Sequence, residues 1–221
     1  MRILMYKRLV TFGCSNTYGQ GLKDCVADND ILKPGPNPSK FAWPQLLANQ
    51  MKIECVNMAQ PGGSNKLIWW RTVNFEFEPT DLVIFAATYP DREMVLENDD
   101  NVWNNFGPWT HEGQVSRSRA FQKWLTETNS RRMWEYQSYV HLDHAYQHVI
   151  RQGVKTILHF RHRDETYQQN LPNWVTFKWQ PQSLMSHSII QDRAACGHPG
   201  PRSHVMAAMQ TYRNLRKLNH D

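Results

Sequence analysis

Residues Asp81–Ala87 read DLVIFAA, a nearly continuous apolar run of strand length. Such a run suits a β-strand covered on both faces, not one with a wet side. Comparable runs recur along the chain. Residues 7–13 (KRLVTFG), 51–56 (MKIECV) and 154–160 (VKTILHF) read as strands, and Trp174–Trp179 (WVTFKW) as a fifth. Helical segments fall between them: FAWPQLLANQ (41–50), SNKLIWWRTVNF (64–75) and a long stretch over 119–151. A closing amphipathic helix is predicted over 201–218, with Val205, Met209, Tyr212 and Leu215 on one stripe. Strands that alternate with helices predict a mostly parallel sheet between two helical layers. The expected fold class is therefore α/β, one three-layer α/β/α sandwich over residues 1–221. Residues 89–130 break the rhythm and read as a loop-rich insertion or lid.

Composition narrows the function classes. A chain of 221 residues buries roughly 70% of its unfolded surface, so neither disulfide nor metal is needed for a core. The net charge of +5 comes from scattered basic residues, which argues against a nucleic-acid partner. No window of 18 consecutive apolar residues occurs, so no transmembrane segment is expected. The start, MRILMYKRLVTFG, lacks the long apolar core of a signal peptide. No membrane partner is expected, and the expected location is cytoplasmic or virion-associated. Cys14, Cys25, Cys55 and Cys196 show no CxxC spacing and read as reduced thiols. His141, His144 and His148 share a helical face, but a helix-packing or solvated stripe explains them better than a metal. No cofactor and no metal are expected, and neither HExxH nor a P-loop motif occurs.

In parallel α/β sheets, ligands bind beyond the carboxyl ends of the strands. The loops after residues 13, 57, 87 and 160, and the entry to the last helix, are therefore where chemistry is expected. The first loop, Gly13-Cys14-Ser15-Asn16-Thr17-Tyr18-Gly19, exposes a serine at a strand-to-helix turn between glycines. Read alone, Ser15 is equally a helix cap. The second loop, Asn57-Met58-Ala59-Gln60-Pro61-Gly62-Gly63-Ser64-Asn65, has glycines able to aim N–H groups into the same crevice. The last, Cys196-Gly197-His198-Pro199-Gly200, puts a histidine in a turn just ahead of the closing helix. A serine nucleophile needs such a base.

With these blocks in order, the chain resembles the SGNH (GDSL-like) hydrolases, a family of esterases, lipases and carbohydrate deacetylases. Its first block, G-D-S-x-T-x-G, corresponds to Gly13–Gly19 here, with Cys14 in place of the aspartate. Asn57, Ala59 and Gly62 match the second block, Ser39–Pro44 resembles the first family helix, and His198-Pro199 with His204 matches the last block. The resemblance runs from residue 7 to about 215. It implies a flavodoxin-like sheet, Ser15 as nucleophile, His198 as base and Gly62 as an oxyanion donor. Two positions depart from the family. The third block, usually G-x-N-D, reads Ala86-Ala87-Thr88-Tyr89, so Thr88 is the candidate for the missing donor. The family aspartate three residues before the histidine is Ala195, and Cys196 offers no equivalent stable negative charge. Asp192, or a backbone carbonyl, is then the candidate orienter of His198.

The candidate substrate-binding residues are Arg92, Asn65, Trp103 and Trp109. Arg92 follows the third strand and has the fork to grip an anionic group, or else a surface ion pair. Trp103 and Trp109 lie in the insertion, where they stack on a sugar or anchor their own loop. The implied function is hydrolysis of a small ester or an acetylated glycan through a Ser15 acyl-enzyme. Two rival readings stand beside it. One is a degenerate structural or glycan-binding protein such as a viral particle component, and the other is an O-acyltransferase. Oligomeric state is not written in the sequence.

Overall fold

The computed structural model describes residues 6–28, 30, 32–90, 92–97, 102–106, 127, 131–160 and 190–218. The strands are β1 (Arg8–Phe12), β2 (Glu54–Asn57), β3 (Asp81–Ala87), β4 (Glu93–Glu97), β5 (Val102–Phe106) and β6 (Lys155–Phe160). The helices are α1 (Ser15–Tyr18), α2 (Trp43–Met51), α3 (Asn65–Val73), α4 (Arg131–Ile150) and α5 (Pro201–Leu218). Four parallel strands form the main sheet in the order β2-β1-β3-β6. The chain steps from β1 to β2 on one side and to β3 on the other. The β1/β3 junction is therefore the topological switch point, beyond whose carboxyl ends open α/β sheets bind their ligands. The fifth predicted strand, Trp174–Trp179, lies outside the described residues.

The apolar run of β3 is explained by a period of two between two cores. Every residue of β3 is buried. Val10, Phe12, Val83 and Phe85 point into one core with Ile68 of α3 and Leu142, Ala145 and Val149 of α4. Leu9, Leu82, Ile84 and Ala86 point the other way, toward Trp43 and Leu47 of α2 and Ala207, Ala208 and Leu215 of α5. Each large apolar side chain so buried contributes about 1.5–3 kcal/mol. At the amino ends of the strands, Arg8 grips the buried Asp81 with a two-pronged bond of 2.8 and 2.7 Å, which ties β1 to β3.

Two expectations are corrected. The inward stripe of α5 is Ser203, His204, Ala207, Ala208, Thr211 and Leu215, whereas Val205 and Met209 are 45% and 38% exposed. Small alanines let α5 lie close to α2, so shape outweighs hydrophobicity on this helix. The described part of the 89–130 insertion holds an antiparallel hairpin, β4 with β5, which loop-like composition concealed. The histidine stripe packs between helices. The His141 and His144 rings lie 5.6 and 5.8 Å from the Trp69 ring, whose Nε1–H donates to His144 Nδ1. Among the described residues, no helix is long and apolar enough to cross a membrane, and no cluster of three or more His, Cys, Asp or Glu residues could hold a metal ion.

Candidate active site

Three loops follow the carboxyl ends of β1, β2 and β3, and a hairpin leading into α5 packs on the segment after α1. Ser15 opens α1 directly after β1, and Ser15, Asn16 and Thr17 are all buried. The turn requires Gly13. A Cβ there would run into Thr17 Oγ1 and come within 2.8 Å of Thr17 Cβ and 3.2 Å of Ala86 Cβ. The Ser15 N–H belongs to the first turn of α1, which has no carbonyl of its own to offer it.

The loop after β2 is fastened to this turn from several sides. Asn57 Nδ2 donates to the Thr17 carbonyl at 2.8 Å, while its Oδ1 accepts from Ala59 N–H at 3.1 Å and Thr11 Oγ1 at 3.3 Å. The Gln60 N–H donates to the Gly13 carbonyl at 3.2 Å. Arg71, reaching back from α3, donates to the carbonyls of Met58 at 2.6 Å and Ala59 at 3.3 Å, and to the Gln60 side chain. Burial draws the Arg71 pKa below its ordinary value, with Tyr18 opposing. With the loop held this way, Gly62 takes a φ of +72°, a region open to glycine.

The loop after β3 is held by Asn65. Its Oδ1 accepts from the Thr88 N–H at 2.8 Å, and its Nδ2 donates to the Thr88 carbonyl at 3.0 Å and to Ser138 Oγ of α4 at 3.2 Å. Asn65 is 2% exposed and fully occupied, so it is a strut for Thr88 in place of the substrate contact read from the sequence. Thr88 is 1% exposed, and its Oγ1 has no hydrogen-bond partner among the described residues. A buried hydroxyl without a partner costs about 1–3 kcal/mol. Arg92 sits beside these loops, with Nη1 3.5 Å from the Gly63 carbonyl and its guanidinium 5.1 Å from the Tyr89 ring centre. Trp103 lies in β5, paired in register with Leu96, and Trp109 lies outside the described residues.

His198 comes from a tight hairpin leading into α5. The Ala194 N–H donates to the His198 carbonyl and the Gly197 N–H to the Ala194 carbonyl, both at 2.8 Å. Gly197 turns the chain with a φ of +82°. Cys196 and His198 thereby come together, with Sγ 3.3 Å from Nδ1. The hairpin packs on the segment after α1. A Cβ on Gly21 would run into Cys196 Sγ and lie 3.8 Å from His198 Cβ.

Asp192 is engaged elsewhere. Its Oδ1 accepts from Ser203 N–H and Ser203 Oγ, both at 2.8 Å, and its Oδ2 from Arg202 N–H at 3.1 Å. It thus caps α5 in the manner of an N-cap residue. Desolvation raises its pKa, but the Ser203 and Arg202 hydrogen bonds prevail and the net direction is down. His204 is fully buried in α5, and its Nδ1 accepts the Trp43 N–H at 3.1 Å. Burial pushes its pKa down to about 4, so the ring is neutral with its proton on Nε2. It joins α5 to α2. The sequence reading missed Arg71, because an arginine within a helix carries no periodic signal.

No protein-family model and no curated protein matches the sequence. Solved structures do match. One is an acetyl xylan esterase from the rumen bacterium Butyrivibrio proteoclasticus, at 14% identity and TM-score 0.58, covering 96% of this chain and 64% of that one. A psychrotrophic esterase from Pseudoalteromonas sp., inhibited by monoethylphosphonate, matches at 10% identity and TM-score 0.56, covering 97% and 100% of the two chains. A putative G-D-S-L lipolytic protein from Desulfitobacterium hafniense matches at 11% identity and TM-score 0.50, covering 94% and 98%. The chain thus spans less than two thirds of the acetyl xylan esterase. At these identities the likeness is one of fold alone, an α/β fold shared with these esterase and G-D-S-L-family structures.

Proposed function

We propose that the protein hydrolyses esters through a Ser15 acyl-enzyme, with His198 as base. The observation that carries this reading is the convergence of Ser15, Gly62 and Thr88 at the carboxyl ends of β1, β2 and β3, with the His198 hairpin packed on the segment after α1. His198 takes the proton of the Ser15 hydroxyl as the oxygen attacks the ester carbonyl. The N–H groups of Ser15 and Gly62 face the developing oxyanion, and the Thr88 hydroxyl supplies the third donor. His198 returns its proton to the departing alcohol, and water then cleaves the acyl-enzyme by the same route. Each oxyanion donor contributes about 3–4 kcal/mol. A small ester or an acetylated glycan is the proposed substrate class, in keeping with the acetyl xylan esterase among the structures of like fold. Arg92, at the rim of the β2 and β3 loops, is proposed to orient an anionic or hydroxyl-bearing part of that substrate.

Covalent labelling with a fluorophosphonate, read by peptide mass spectrometry, tests the reading. Labelling is expected at Ser15, absent in Ser15→Ala and reduced at least about 10²-fold in His198→Ala. A folded wild type that carries no label at Ser15, and cleaves neither aryl acetates nor acetylated xylan, would make the protein a non-catalytic binder on an esterase fold.

A further inference from the structure

We propose that Trp134 is a specificity-determining residue, donating its indole N–H to an oxygen in the alcohol part of the ester, so that an acetylated sugar is preferred to a plain alkyl ester. The proposal rests on the reading of Ser15, Gly62 and Thr88 as the reaction centre. Three observations support it. The first is position. α4 leads through a short turn into β6, which lies parallel to β3, so α4 runs against the strands and its first turns stand at their carboxyl ends. Ser138 of α4 meets Asn65, which holds both the N–H and the carbonyl of Thr88. Trp134 precedes Ser138 by one turn on the same face, about 6 Å further out along the helix. The second is the inward stripe of α4. Ser138, Leu142, Ala145 and Val149 are buried, and Trp134 continues that stripe past the end of the core. The third is an unmet hydrogen bond. Trp134 Nε1 and Thr88 Oγ1 are both buried, and neither has a hydrogen-bond partner among the described residues. A buried indole N–H ordinarily finds an acceptor.

An indole N–H only donates, so the group that satisfies it must carry an acceptor. The Thr88 hydroxyl serves the ester carbonyl oxygen, which is held at the strand ends. Trp134 stands further out, where the departing alcohol has to pass. An alkyl alcohol has no oxygen beyond the ester linkage and leaves the indole N–H unsatisfied. A sugar carries hydroxyl and ring oxygens beside the esterified carbon and satisfies it. A site built to hydrogen-bond a polar group rejects the analogue that lacks it far more strongly than an apolar pocket rejects a missing methylene. No bond to Trp134 forms or breaks, and its part is recognition.

Indole nitrogen-15 NMR of Ser15→Ala tests the contact without relying on catalysis. Titration with a monoacetylated methyl xyloside should shift the Trp134 N–H resonance, and ethyl acetate should leave it in place. With Trp134→Phe added, the xyloside should bind at least about tenfold more weakly. With Ser15 intact, Trp134→Phe should lower kcat/KM for the xyloside relative to ethyl acetate by at least about tenfold. A Trp134 resonance that stays in place with the xyloside, or moves equally with ethyl acetate, overturns the proposal. So does a Trp134→Phe protein that folds and binds the xyloside as tightly as its parent. A resonance that responds as described, while wild-type Ser15 takes no fluorophosphonate label, upholds the sugar contact and instead overturns the acyl-enzyme.

Discussion

The two halves of the site are built differently. The Ser15 half is buried and cross-braced by bonds between distant parts of the chain: Asn57 to Thr17, Gln60 to Gly13, Arg71 to the β2 loop, and Asn65 to Thr88 and Ser138. The His198 half is a half-exposed hairpin held by bonds between near neighbours and seated on α5 through Asp192. Backbone donors for an oxyanion must be in place before the reaction, because their value lies in needing no reorganisation. On the proposed mechanism, the cross-bracing of the first half by Asn57, Arg71 and Asn65 serves that requirement. The second half carries the His198 ring on a single turn, with Cys196 Sγ 3.3 Å from its Nδ1. The Ser15 half is thus expected to be costly to disturb in stability, and the His198 half chiefly in the rate of Ser15 labelling.

Arg71→Met gives the sharpest test of that contrast. It leaves the carbonyls of Met58 and Ala59 without their donor, at about 1–3 kcal/mol for each buried group. Urea unfolding should show a loss of about 3 kcal/mol, with Ser15 labelling falling alongside. A loss under about 1 kcal/mol would mean that the β2 loop holds its shape without the clamp.

The next effect is a pH dependence seated between the halves, at His204. Its folded pKa lies at about 4, below the ordinary 6.5, so the unfolded chain binds the extra proton first. Stability is then full above pH 6.5 and is lost as pH falls from 6.5 toward 4. The slope is on the order of 1 kcal/mol per pH unit. His141, also pushed down to about 4 chiefly by burial, acts in the same direction. Chemical denaturation between pH 7 and pH 5 measures the slope. His204→Gln should flatten it, and an unchanged slope in that variant would remove His204 as its source.

The smallest effect is expected in the His198 half. Asp192→Ala removes the cap of α5 and should cost about 1 kcal/mol. Its folded pKa is depressed, so this contribution is present above the ordinary 3.8 and fades as pH falls below it. The gap between wild type and Asp192→Ala should therefore close in acid. If Asp192→Ala instead left stability intact and abolished Ser15 labelling, Asp192 would be the orienter of His198 after all.

The sheet was legible in the sequence, because it depends on short-range pattern. A period of two with apolar residues at every step marks a strand buried on both faces, and DLVIFAA matches β3 end to end. Glycines around Ser15 and Gly62 mark turns, since few other residues tolerate such close approach or positive φ. Less legible was which way α5 faces, because Val205 and Met209 are the more apolar residues while Ala207 and Ala208 fit the gap.

By itself, the sequence determined an α/β chain with a serine and a glycine loop after its strands and a histidine ahead of its last helix. Only the tertiary structure decided what those residues touch. Asn57 meets Thr11 across 46 residues, and His204 meets Trp43 across 161. Asp192 meets Arg202 and Ser203 ten and eleven residues along the chain, once the turn at Gly197 has brought the segment back onto α5. Hydrogen bonds reach only about 3 Å and are directional, so periodicity can nominate a donor but only a folded backbone can select its acceptor.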